Sequence, residues 1–162
     1  MIRACTAGDV EAIDEIINDA ARAYRGHVPD DCLHAPYMSR AELLREIGAG
    51  VRFSGWDDKG GLLGAMGLQD VQDVSLIRHA YVRSTAQGQG IGGKLLDHLI
   101  AESTRPLLVG TWAAAEWAIR LYERHGFTLA EHEEKDRLLA KYWKISVRQR
   151  ETSVVLTRYP RS

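Results

Sequence analysis

Apolar positions along the chain follow two rhythms. Residues 1–5 read as a short first strand, and then Val10, Ile13, Ile16, Ile17, Ala20 and Tyr24 recur at the spacing of one helix face, predicting a helix over 9–24. Residues 26–37 carry two prolines and read as a loop. Ser39 with Glu42 three positions on makes a capping-box pattern for a second helix, which Gly48 and Gly50 close. Strand-like runs follow at 51–56, 62–69 and 74–82, the first two joined by Asp57-Asp58-Lys59-Gly60-Gly61. Such tight connections imply antiparallel neighbours, because a parallel crossover needs a dozen residues or more. A glycine-rich turn entering a helix is expected over 88–102, a buried strand at 107–111, a helix at 114–125, and strands at 127–131 and 153–156. The charged run 131–137 reads as solvated surface, and 142–155 as a hairpin region. The order β-α-α-β-β-β-α-β-α-β-β predicts a mixed α/β (α+β) fold around a mostly antiparallel central sheet.

Composition narrows the function classes. A chain of 162 residues without repeats or linkers is expected to form a single domain, 1–162. A formal net charge of −1 gives no broad basic footprint, so no nucleic-acid partner is expected. No apolar stretch reaches the length of a membrane span, and the acids that follow the first residues argue against a signal peptide. These features predict a cytoplasmic protein with no membrane partner. Cys5 and Cys32 are too few for a disulfide framework or metal cluster, and read as small semi-buried thiols; no metal is expected.

The candidate chemistry starts at QGQGIGGKLL, residues 87–96, which matches three phosphate-loop patterns. A dinucleotide loop needs a first βαβ unit and an acid about 20 residues on. Here the loop lies past mid-chain and the next strand ends in Gly110-Thr111-Trp112. A triphosphate loop needs a Ser or Thr hydroxyl for Mg²⁺ after its lysine, where this chain has Leu95. The pattern Q-x-x-G-x-G survives, since unpaired amides and the helix dipole at a glycine-rich helix start favour an anion. A glycine turn that merely opens a helix satisfies the same letters.

IRHAYVRSTAQGQGIGGKLL followed by WAIRLYERHGF resembles the GNAT superfamily of N-acetyltransferases, over about residues 74–129. The resemblance implies a GNAT-like sheet flanked by helices on both faces and acetyl-CoA as acyl donor. Ala80, Tyr81 and Val82 would offer backbone groups to the pantetheine arm. Gln87, Gly88, Gln89, Gly90, Ile91 and Gly92 would wrap the pyrophosphate, with Gly93 and Lys94 in the first helical turn. Tyr122 falls on the tyrosine that protonates the leaving thiolate. Three positions depart from the family pattern: Ser84 replaces a proline, Ala115 an asparagine, and Leu76 a strand glutamate that serves some members as base.

The expected reaction is direct attack of a small-molecule primary amine on the thioester. Presenting a lysine-like amine neutral at pH 7 costs about 4.6 kcal/mol, so a base is useful. His79 is the candidate, with a role in the core or against the first helix as its alternative; Asp73 and Glu116 are weaker choices, and bulk water is another. Tyr24, His27, His34, Tyr37 and Trp143 are expected around the acceptor, and an exposed strand or the C-terminal hairpin offers a homodimer surface. A CoA-binding sensor without turnover, motivated by Ala115 and the missing glutamate, is the competing function. A longer acyl group is a third.

Overall fold

The computed structural model describes residues 1–26 and 37–160. His27, Cys32 and His34 lie outside them. The strands are β1 (Ile2–Ala4), β2 (Arg52–Asp58), β3 (Gly61–Val71), β4 (Val74–Val82), β5 (Leu107–Trp112), β6 (Thr128–Leu129) and β7 (Ser153–Arg158). The helices are α1 (Val10–Ala20), α2 (Arg40–Gly48), α3 (Ile91–Glu102), α4 (Glu116–Arg124), α5 (His132–Tyr142) and α6 (Val147–Glu151). Among the described residues the strands form one seven-stranded sheet, ordered β1-β2-β3-β4-β5-β7-β6. Every pairing is antiparallel except β4 with β5.

Alternation along the strands sends side chains to two cores. Ile77, Leu107, Val109 and Leu156 meet Leu95, Leu96 and Leu99 of α3, with Tyr122 and Phe127. On the opposite face Ile13, Ile16 and Ile17 of α1 and Leu43 of α2 cover Phe53 and Ala65. Farther along that face, Leu138 and Leu139 of α5 cover Leu76, Leu108 and Val155. Ser39 caps α2 as predicted, with the Glu42 amide donating to Ser39 Oγ at 3.2 Å, but the Glu42 carboxylate accepts from the Ser39 hydroxyl rather than closing the box on its amide.

Two expectations fail between β6 and β7. The charged run is not simply solvated surface: it enters α5, because Lys135, Leu138, Leu139 and Tyr142 share one helix face. Lys135 is buried and donates to the Arg150 carbonyl at 3.0 Å. Residues 142–155 are no hairpin either. They hold the short helix α6, whose capping box joins Ser146 and Gln149.

The feature that positions the site is the seam between β4 and β5. Their parallel register runs only from Ser75↔Leu107 to Ile77↔Val109. Beyond it β4 stays with β3 as far as Gly64↔Val82, and β5 leaves with β7 as far as Trp112↔Ser153. The sheet therefore splays into a V.

Candidate active site

A cavity of about 620 Å³ opens at the V. It is lined by the β4 end, Ala80, Tyr81 and Val82; by the loop, Gln87, Gly88, Gly90, Ile91, Gly92 and Gly93; and by Tyr122 of α4. The loop and tyrosine motifs, thirty residues apart in sequence, thus share one wall. Gln89 and Lys94 do not line it; the Lys94 ammonium lies 5.0 Å from the centre of the Trp56 ring.

The loop geometry suits an anion. Gly88 and Gly90 hold φ of +82° and +79°, which disfavours any residue with a Cβ, and nothing stands within 4 Å of where that Cβ would be. Gly90 caps α3, and the first intrahelical bond runs from the Lys94 amide to the Gly90 carbonyl at 3.1 Å. The amides of Ile91, Gly92 and Gly93 precede that bond and are the donors a helix start offers to a phosphate. A pyrophosphate-bearing ligand with a long arm along β4 fits these residues. Gly93 also serves packing, since a Cβ there would come within 3.1 Å of His125 Nε2. Ser84, at the usual proline position, is pinned to the end of α1: its amide and hydroxyl donate to Asp19 at 2.7 and 3.0 Å. Those bonds, the amide's foremost, hold the Asp19 carboxyl below the usual range.

Tyr122 is buried, its ring 5.6 Å from that of Phe127. Burial, with a smaller contribution from Tyr24, pushes its hydroxyl well above the ordinary tyrosine range. Ala115 is fully buried at the α4 N-cap, among Ala21, Tyr24 and Trp112. The same α4 face adds Trp117, Ala118 and Leu121 to the cavity, residues that sequence reading left unassigned. Leu121, Ala118 and Trp117 precede Tyr122 by one, four and five positions, and that helical spacing carried the signal. Trp117 stacks on Tyr24, with centroids 6.1 Å apart.

A second cavity of about 190 Å³ meets the V from the α1, α2 and α5 side. Tyr24, Tyr37 and Trp143, expected around an acceptor, line it together with Tyr81, Trp112 and Gln149. The Tyr24 hydroxyl donates to that of Tyr81 at 3.3 Å, and Trp112 Nε1 donates to Tyr37 at 3.3 Å. Burial pushes Tyr24 up to about 12. Trp143 comes from the α5–α6 segment rather than a hairpin, and its indole lies 3.4 Å from the position of a Cβ on Gly110.

His79 lines both cavities. The register between β3 and β4 shifts after Ala65↔Tyr81, so His79 and Ala80 oppose Met66 in a bulge. His79 holds φ +55°, a left-handed conformation that costs a residue other than glycine about 1–3 kcal/mol. Its Nε2 lies 2.8 Å from Glu46 Oε2 of α2, so the helix partner is the second helix, not the first. Leu76 is fully buried under α5, away from the cavity. Asp73 and Glu116 line neither cavity, and Asp73 accepts the Tyr142 hydroxyl at 2.6 Å. No group of acids, histidines and cysteines among the described residues could hold a metal ion, and no described helix is long and apolar enough to cross a membrane.

Comparison with known proteins agrees with this geometry. The family model described as an acetyltransferase (GNAT) domain matches residues 51–129, which hold the V, the loop and Tyr122. The ribosomal-protein-S18-alanine N-acetyltransferase of Escherichia coli superposes with a TM-score of 0.72 at 22% identity, covering 98% of this chain and 92% of that one. The PaiA N-acetyltransferase of Thermoplasma acidophilum, solved with coenzyme A, superposes with a TM-score of 0.73 at 15% identity, over 99% and 98%. N-acetylglutamate synthase of Neisseria gonorrhoeae, solved with coenzyme A and N-acetyl-glutamate, gives 0.66 at 24% identity over 98% of this chain and 34% of that one. At these identities the structural likenesses establish the fold. No curated protein matches the chain by sequence. With the family model lying over the splayed strands and the glycine loop, and the same fold extending over nearly the whole length, the chain carries a GNAT acetyltransferase domain across residues 51–129.

Proposed function

We propose that this protein transfers the acetyl group of acetyl-CoA to the primary amine of a small molecule, with Tyr122 as general acid. The observation that carries the reading is the single cavity joining the glycine loop, the open end of β4 and Tyr122. When bound, acetyl-CoA supplies an activated acyl carbon and a thiolate leaving group. The α3 amides and Gly88–Gly90 hold its pyrophosphate, and β4 receives the pantetheine arm along backbone groups that β5 no longer pairs. Burial keeps the proton on Tyr122 until negative charge develops on sulfur beside it. His79 is the candidate base on the acceptor side.

The second cavity supports a small acceptor. At about 190 Å³ it is below the roughly 300–1,000 Å³ of typical ligand pockets, and aromatic rings wall it. A single domain acting without a metal completes the proposal.

The test is thiol release from acetyl-CoA by purified protein with a panel of small amines and peptides bearing N-terminal alanine. Tyr122→Phe should lower kcat by about 10²–10⁴-fold, the usual range for a general acid, with acetyl-CoA affinity unchanged. Equal turnover in that variant removes Tyr122 from the mechanism, and a preference for peptides overturns the small-acceptor assignment. Tight acetyl-CoA binding with no turnover on any amine favours the sensor reading, which rests on the apolar Ala115 at the α4 N-cap.

A further inference from the structure

His79 stands in a left-handed bulge, and it is anchored there from another element. Glu46, on α2, reaches across to β4 and takes two partners with its two oxygens. Arg78 donates to Oε1 at 2.6 Å, and His79 Nε2 lies 2.8 Å from Oε2. Arg78 also donates to Gln69 Oε1 at 3.0 Å, which fixes the guanidinium and through it the carboxylate. The Phe53 ring stacks on the imidazole, with centroids 6.3 Å apart. The ring is thus set by a carboxylate at its edge and an aromatic face beside it.

The charges around the pair keep Glu46 ionised. Burial pushes its carboxyl upward, but the His79 hydrogen bond and the charges of His79, Arg78 and Arg45 outweigh that and leave it below the usual value. An ionised carboxylate only accepts hydrogen bonds, so Nε2 carries the ring hydrogen. Nδ1 then holds the lone pair of the neutral imidazole.

We propose that Glu46 is a positioning residue for acetyl transfer, holding His79 by Nε2–H so that Nδ1 is its proton acceptor toward the acceptor cavity. This rests on the acetyltransferase reading above. In the step assigned to it, the acceptor's ammonium gives one proton to Nδ1, leaving a neutral amine and an imidazolium that Glu46 stabilises; the imidazolium later returns that proton to solvent. The ionisable groups around His79 are Glu46 and Arg45 of α2 and Arg78 of its own strand, with the phenols of Tyr24, Tyr37 and Tyr81 on the cavity wall. The phenols of Tyr24 and Tyr81, both raised by burial, stay neutral through the relevant range.

Two measurements on the full chain test this. The first needs no turnover: ¹⁵N-histidine NMR of the ligand-free protein, with the His79 signal identified by its loss in His79→Gln. In its neutral form His79 should be in the Nε2–H tautomer, and Glu46→Ala should mix the two tautomers. An Nδ1–H tautomer in the unaltered protein overturns the proposal. The second is kinetic, with Glu46→Gln chosen because the amide oxygen still accepts from Nε2 and keeps the fold, checked by acetyl-CoA thermal shift. Its kcat should fall at least tenfold with KM for acetyl-CoA unchanged, and the acidic limb of kcat/KM should move to lower pH because the imidazolium loses its counter-charge. Adding Glu46→Gln to His79→Gln should slow the enzyme no further, since Glu46 acts only through His79. A further slowing by the same factor makes Glu46 merely structural and overturns the proposal. Failure of the unaltered protein to acetylate any amine overturns the acetyltransferase reading and the base role with it, whereas normal turnover insensitive to Glu46→Gln overturns the positioning role alone.

Discussion

Replacing Gly90 by alanine separates the two reasons a glycine stands there. Its φ of +79° at the α3 N-cap is left-handed, and an L residue in that region costs about 1–2 kcal/mol. No atom lies within 4 Å of the new Cβ, so no clash adds to the strain. For a domain of this size each kcal/mol moves Tm by roughly 2–4 °C, giving an expected fall of about 2–8 °C without ligand. The same methyl group would project where the α3 amides meet a pyrophosphate, so acetyl-CoA affinity should fall more than tenfold, or over about 1.4 kcal/mol. Calorimetric titration with acetyl-CoA and thermal unfolding of the ligand-free protein read the two effects independently. Gly61→Ala is the control: its φ is +112° at the start of β3, nothing lies within 4 Å, and it does not line the cavity. It should lose stability and keep its affinity. If Gly90→Ala loses stability like Gly61→Ala but binds acetyl-CoA as tightly as the unaltered chain, the loop glycines serve only the turn, and the pyrophosphate assignment fails.

Two further outcomes follow from other parts of the molecule. Arg3 grips both oxygens of Asp9 at 2.8 Å and, with the Thr6 amide, holds that carboxyl far below the usual range. Its contribution to stability is therefore complete above the unfolded carboxyl value near 3.9 and is lost as pH falls toward the lower folded value, so Asp9→Asn should weaken the acid dependence of stability measured by urea unfolding below pH 4. Trp143→Ala opens the wall of the smaller cavity over Gly110, and should raise KM for the amine several-fold with acetyl-CoA KM unchanged; equal rises in both would move Trp143 out of the acceptor site.

Local patterns were legible where local physics decides them. The helix stripe from Val10 to Tyr24, the Ser39 N-cap and the glycines at 88 and 90 state their structure through spacing, a side-chain oxygen and a missing Cβ. The order of β2, β3 and β4 was legible too, because short turns leave antiparallel pairing as the only choice. α5 was misread because its charged residues dominate the letters while only Lys135, Leu138, Leu139 and Tyr142 carry its buried face. α6 was missed although Ser146 and Gln149 spell a capping box, since five residues are too few to show a period.

The sequence by itself determined that a glycine-rich helix start and a tyrosine helix exist thirty residues apart, and its resemblance to a family suggested the ligand proposed for them. Only the tertiary structure decided that β4 and β5 part after Ile77 and Val109, so that both motifs face one cavity. It also decided which carboxylate meets His79. Glu46 lies 33 positions away in the chain, on a helix whose own spacing says nothing of β4. Side-chain periods report which face of an element is buried; which distant group lies across that face depends on how the sheet and helices pack, and pairwise distance in space has no local signature.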